Sequence, residues 1–261
     1  MKRMEDTMDL KLEGKVALIT GTSSQIGIGN AISKYLAEEG CDIISVDIDL
    51  EGARKTADAV KALGKKAVAY KADVANEDEV NEAVQSALKE FGRIDILVNT
   101  AGLSAGVPTP FTEQKQETWQ KDIDVNLYGT MLFSKAVLPG MIEHKYGKIV
   151  NFSSIAARQP LLGSYSAAKA AVISITHGLA SQYGPEGINA NAIAPGMLKT
   201  NFFGEPDEHI DQMMEGMASH VPTRRIQTVE DIAYAVAFLA SDVSKNITGQ
   251  CIQVDSGLVM R

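Results

Sequence analysis

"KVALITGTSSQIGIG", residues 15–29, decides how the rest of the chain is read. A strand-like run, "KVALIT" (15–20), enters a glycine-rich turn, "TGTSSQIGIG" (20–29). "NAISKYLAEEG" (30–40) then places Ile32, Leu36 and Ala37 on one helical face. Glycines in such a turn let the backbone approach a pyrophosphate. The helix behind them offers unpaired N–H groups and the positive end of its dipole. Any tight strand-to-helix turn favours glycine, so the composition alone says little. Its position between a first strand and a helix is what points to a dinucleotide.

The same unit repeats outward. "CDIISVD" (41–47) is a strand and "LEGARKTADAVKALG" (50–64) a helix; "KAVAYKAD" and "NEDEVNEAVQSALKEFG" repeat the pair, and "RIDILVNTAG" adds a fourth strand. A long helix is expected at about 114–144, then strand "GKIVNFSS" (147–154) and a helix holding "YSAAK" (165–169). Strand "INANAIAPG" (188–196), helix "VEDIAYAVAFLAS" (229–241) and strand "QCIQVD" (250–255) close the series. Strands this apolar, separated by helices, require a parallel sheet covered on both faces. Right-handed crossovers then give a doubly wound α/β fold of Rossmann type. No linker-like composition interrupts it, so residues 1–261 are expected to form one domain, with 1–11 a flexible leader. Residues 197–226, polar and Met-rich, are expected over the sheet's carboxyl edge.

Composition narrows the function. With 45% hydrophobic and 22% charged residues the chain can bury a sizeable core. A net charge of −8 argues against a nucleic-acid or anionic-membrane surface. No apolar run approaches the ~20 residues that span a bilayer, and "MKRMEDTMDLKLEG" lacks the apolar core of a signal peptide. Cys41 and Cys251 read as small buried hydrophobes, compatible with a reducing cytoplasm. His144, His177, His209 and His220 show no ligand spacing, so no catalytic metal is expected.

Two features carry chemistry. Asp47 ends the second strand, where a carboxylate accepts hydrogen bonds from the adenosine ribose and repels a 2′-phosphate. Neither the glycine turn nor the positions directly after Asp47 hold Arg or Lys, so NAD is expected over NADP. Tyr165 and Lys169, four residues apart, share a helical face. An ammonium about 5 Å from a phenolate, at an effective dielectric of about 20, is worth roughly 3 kcal/mol. That predicts a phenol brought about two units down toward neutrality, able to carry a proton.

Further motifs fix the resemblance: "ADV" (72–74), "NTAG" (99–102), "DVNLYG" (124–129), "SS" (153–154), "NAIAPGMLKT" (191–200), "FLASD" (238–242) and "ITGQCIQVDSG" (247–257). In order and spacing they resemble the short-chain dehydrogenase/reductase family over about residues 12–257. The resemblance implies Gly21, Ser24, Gly27, Ile28 and Gly29 at the pyrophosphate and Asp47 at the ribose. Asp73 and Val74 would lie beside adenine, with Asn99, Ala101 and Gly102 on the cleft floor. Pro195, Gly196 and Thr200 would flank the nicotinamide. Asn126, Ser154, Tyr165 and Lys169 match the catalytic tetrad, Tyr165 exchanging the proton and Lys169 also holding the ribose. The glycine turn is two residues longer than usual, and Ser154 stands closer to Tyr165 than is common; Ser153 is its competitor.

The implied activity is NAD-dependent interconversion of a secondary alcohol and a ketone. Phe202, Phe203, Met213, Met214 and Met217 suit either an adaptable apolar lid or a helix that only packs on the sheet. "LSAGVPTP" (103–110) and "ARQPLLG" (157–163), with Leu161 and Leu162, would form other walls. A substrate with a hydrophobic body follows: a 3-hydroxyacyl thioester, or a cyclic or steroid-like alcohol. A cytoplasmic homotetramer is implied by the family. An enoyl-type C=C reductase and a non-catalytic NAD-binding subunit remain alternatives.

Overall fold

The computed structural model describes residues 9–106, 109–159, 163–202 and 208–260. Seven parallel strands form one sheet in the order β3-β2-β1-β4-β5-β6-β7. They are β1 (Val16–Thr20), β2 (Asp42–Asp47), β3 (Ala67–Lys71), β4 (Ile96–Asn99), β5 (Gly147–Phe152), β6 (Ile188–Pro195) and β7 (Cys251–Val254). Both faces are covered, which explains strands without polar alternation. Along β1, Ala17 and Ile19 enter one core while Val16 and Leu18 enter the other.

The first core lies under α1 (Ile28–Glu38), α2 (Leu50–Ala62) and α8 (Val229–Ala240). The second lies under α3 (Glu77–Phe91), α5 (Gly129–His144) and α6 (Ser164–Tyr183). Asp49, Asn76 and Thr228 cap α2, α3 and α8 through their side chains. Helix α1 is different: Gly27 stands at its cap and no side chain bonds its first turn.

The expected helix over 114–144 is divided. Helix α4 (Gln116–Ile123) runs into a wide π turn, Asp124–Tyr128, before α5 continues. The cause is Asn126, whose amide is drawn inward to the carbonyls of Leu103 (2.7 Å) and Asp122 (2.9 Å). One widened turn re-aims a side chain without ending the helix. In the Met-rich segment, α7 (Glu208–Ala218) forms, with Met214 buried and Met213 exposed. Phe203, Leu161 and Leu162 lie outside the described residues.

The strand order reverses between β1 and β4, leaving a crevice at their carboxyl ends. Every residue of chemical interest described below follows from that edge.

Candidate active site

The phosphate end is built from close backbone approaches. A Cβ on Gly29 would collide with the Gly21 carbonyl oxygen, so only glycine lets α1 begin this near the β1 turn. The hydroxyls of Ser24 and Thr22 are buried without a hydrogen-bond partner, and the first turn of α1 has no side-chain cap. Orphaned donors around an uncapped helix N-terminus are what a pyrophosphate satisfies, so these residues fit a dinucleotide. Ile28, half-buried, opens the helix.

The two additional residues of the turn are fastened to α2. Thr56 Oγ1 donates to the Thr22 carbonyl (2.7 Å), and Gln25 Nε2 donates to the carbonyls of Ser23 (2.9 Å) and Gly52 (3.2 Å). The turn in turn holds Asp47. Its two carboxylate oxygens accept from the N–H groups of Ser23 (2.9 Å) and Asp49 (3.0 Å). Asp73 accepts from Ala75 N–H at 2.9 Å, and Val74 packs on Gly129.

After β4, Ala101 N–H donates to Thr20 Oγ1 at 3.1 Å. Asn99 turns beneath the cleft, donating to Asn151 on β5 at 2.9 Å, while its carbonyl oxygen is buried without a partner. Gly102 marks where the tetrad converges: a Cβ there would stand 2.9 Å from Asn126 Oδ1 and 3.3 Å from Lys169 Nζ. Pro195 ends β6, Gly196 N–H bonds the Val254 carbonyl at 3.0 Å, and Thr200 Oγ1 accepts from Phe202 N–H at 3.3 Å.

Tyr165 and Lys169 are both buried on α6. The Lys169 ammonium lies 5.7 Å from the Tyr165 ring centroid and donates to the Phe152 carbonyl at 2.9 Å. The Ser154 hydroxyl lies close enough to the Tyr165 phenol to favour its ionised form, while accepting from Ala156 N–H at 3.1 Å. Ser153 instead donates to the Lys169 carbonyl at 2.8 Å, behind the helix. Geometry therefore puts Ser154, not Ser153, beside the phenol. The Phe202 ring stands 5.8 Å from the Tyr165 ring, so the start of the Met-rich segment reaches the site.

The electrostatics correct one expectation. Burial pushes the Tyr165 phenol up to about 12; Ser154's hydrogen bond pulls it down, and the charge of Asp122 adds to the rise. Burial alone lowers Lys169 to about 8. Spacing predicted a phenol depressed by its neighbour. The cost of burying charge outweighs the attraction, because the ammonium is itself desolvated and directed at a backbone carbonyl.

Sequence reading missed Asp122 and Ser164. Asp122 is wholly buried and accepts from Ser164 Oγ (2.6 Å) and Ala105 N–H (2.7 Å). Its only signal was an acid four residues before Asn126, on the same side of the helix.

Comparison with known proteins fits this geometry. The family profile described as enoyl-(acyl carrier protein) reductase matches residues 21–259. The 3-oxoacyl-(acyl-carrier-protein) reductase of Thermotoga maritima is 36% identical over 253 residues, covering 96% of this chain and 100% of that protein. The chain belongs to the short-chain dehydrogenase/reductase family. Within it, the diacetyl reductase, (S)-acetoin forming, of Staphylococcus epidermidis is 38% identical over 259 residues, covering 95% of this chain and 99% of that one. The structure of NAD+-bound xylitol dehydrogenase superposes with a TM-score of 0.85 at 31% identity, over 95% of this chain and 100% of that one. As a short-chain dehydrogenase/reductase, the chain is an oxidoreductase of alcohols or ketones that works with a nicotinamide dinucleotide.

Proposed function

We propose that this enzyme is NAD-dependent and interconverts a secondary alcohol and a ketone, with Tyr165 as the general acid/base. The observation that carries the reading is the buried Tyr165–Lys169 pair on α6, the ammonium 5.7 Å from the ring centroid, with Ser154 beside the phenol. The bound dinucleotide supplies or accepts the hydride. At neutral pH Tyr165 is protonated, so in reduction it donates its phenolic proton to the carbonyl oxygen. Ser154 donates a second hydrogen bond to that oxygen, stabilising the charge that develops there. Lys169 holds the ribose, and Asn126, which meets it over Gly102, positions a water that links Lys169 to solvent. In oxidation Tyr165 takes the hydroxyl proton, a step favoured by alkaline pH.

Asp47 supports NAD: its carboxylate is fixed by two backbone N–H groups and repels a 2′-phosphate. The names of the relatives support carbonyl or polyol chemistry, whereas the family profile's description names enoyl reduction. The nearness of Ser154 to Tyr165 favours the first, since two hydroxyl donors side by side suit C=O rather than C=C. The Phe202 ring beside Tyr165 favours a substrate with a hydrophobic body, a 3-hydroxyacyl thioester or a cyclic or steroid-like alcohol. We place the active form in a cytoplasmic homotetramer. No helix among the described residues is long and apolar enough to cross a membrane.

The test is turnover of NADH and NADPH against a panel of ketones, a 3-oxoacyl thioester and a conjugated enoyl thioester. Carbonyl reduction with NADH is expected, and Tyr165→Phe should abolish it with NADH binding nearly intact. Preference for the enoyl substrate, for NADPH, or substantial turnover by Tyr165→Phe would each overturn the corresponding part.

A further inference from the structure

Asp122 is a carboxylate in an interior position with no cation among its described hydrogen-bond partners. One oxygen accepts from Ala105 N–H at 2.7 Å, the other from Ser164 Oγ at 2.6 Å. Its own carbonyl accepts from Asn126 Nδ2 at 2.9 Å. The loop after β4, the π turn and the first residue of α6 therefore meet on this one side chain. Helix α6 needs it: its cap, Gly163, offers no side-chain hydrogen bond, and its first turn carries no acid. A negative charge at a helix N-terminus is favourable, and here α4 supplies it across the interface.

Resting on the reading of Tyr165 as acid/base, we propose that Asp122 is a positioning residue for the reaction: through Ser164 it fixes the first turn of α6, and so the Tyr165 ring. A carboxylate held there also favours the neutral phenol over the phenolate. Tyr165 is faced by Lys169 from its own helix, Ser154 from the loop after β5, the Phe202 ring from the segment after β6, and Asp122 from α4. Of these, Asp122 alone is anionic. Burial and then this charge oppose the Ser154 hydrogen bond in setting the phenol's ionisation. The result is a tyrosine kept as an acid at neutral pH, the form that reduction of a carbonyl consumes.

The test uses the full chain with its tyrosines isotope-labelled at Cζ and NAD+ present, the Tyr165 resonance being assigned from Tyr165→Phe. Asp122→Asn keeps an acceptor for Ala105 N–H and a hydrogen-bonding partner for Ser164 while removing the charge. A larger phenolate fraction of Tyr165 than in the wild type is expected at each alkaline pH. Ser164→Ala keeps the charge and cuts the tether: the phenolate fraction should stay near wild type while the resonance broadens or splits. An Asp122→Asn fraction equal to wild type, or a Ser164→Ala resonance as sharp and single as wild type, overturns the proposal. If Asp122→Asn does not fold, Ser164→Ala decides alone. Turnover by Tyr165→Phe would sink the underlying reading separately, whatever the resonances show.

Discussion

Burial takes the Lys169 amine from its ordinary 10.5 down to about 8, and its hydrogen bond to the Phe152 carbonyl does not replace the lost water. Holding the charged form inside costs about 3 kcal/mol. Because the folded value lies below the unfolded one, the unfolded chain binds more protons between about pH 8 and 10.5. Stability therefore rises with pH through that window, and the penalty is felt in full below it. Tyr165, raised by burial to about 12, acts oppositely: stability falls as pH climbs from 10 toward 12. Lys169→Met should be inactive yet more stable than wild type by about 2–3 kcal/mol at neutral pH in urea unfolding, the advantage shrinking toward pH 10. A variant less stable at pH 7 would contradict the argument. That Tyr165 and Lys169 share one side of α6 was legible from spacing because side-chain direction on a helix follows from sequence separation; Ser154, on the turn after β5, was read from the resemblance alone. The sign of the tyrosine's shift was not legible, since it depends on how much water reaches the pair, and spacing carries no information about that.

At the scale of elements, the strands and most helices were readable because a doubly covered parallel sheet leaves continuous apolar runs between amphipathic ones. The π turn was not: Asp124–Tyr128 looks helical by pattern, and only Asn126's inward hydrogen bonds widen it. The longer glycine turn was visible as an insertion, but its fastening to α2 was not, because Thr56 and Gln25 are distant in sequence. That fastening depends on Gly52, where a Cβ would stand 2.7 Å from the Ser23 carbonyl oxygen and from Asp49 Oδ2. Alanine in a helix gains up to about 1 kcal/mol over glycine. Overpacking here costs about 1–3 kcal/mol, so the clash wins. Gly52→Ala should displace Ser23, release the Asp47 carboxylate from its backbone donor, and raise the KM for NADH on the order of tenfold while kcat changes little. Steady-state kinetics with varied NADH checks it; an unchanged KM would mean the turn does not position Asp47.

For the whole molecule, the distribution of apolar residues on α5 and α6 is the informative feature. Helices α1, α2 and α3 each present one apolar face, whereas α5 and α6 show no single polar face, their polar residues being spread around the axis. Such a helix can make apolar contacts on more than one side. Tyr128 and Met131 are exposed, beside Leu132 and Ala75 in a surface depression of about 400 Å³. On α6 the exposed positions Ala167, Ala170, Ser174 and Gly178 form a stripe of small residues, with His177 exposed beside Gly178, and the stripe allows a second helix to approach closely. One sheet cannot cover both sides of these helices, so copies of the chain are the available cover for the outer sides, in keeping with the tetramer proposed above. Light scattering on the eluted protein should give four times the 28.0 kDa of one chain. Ala170→Glu, which puts a charge where two backbones would meet, should lower that mass and reduce turnover by loosening α6 under Tyr165 and Lys169. If the wild type elutes as a monomer, the exposed stripe needs another occupant and the assembly proposed here fails.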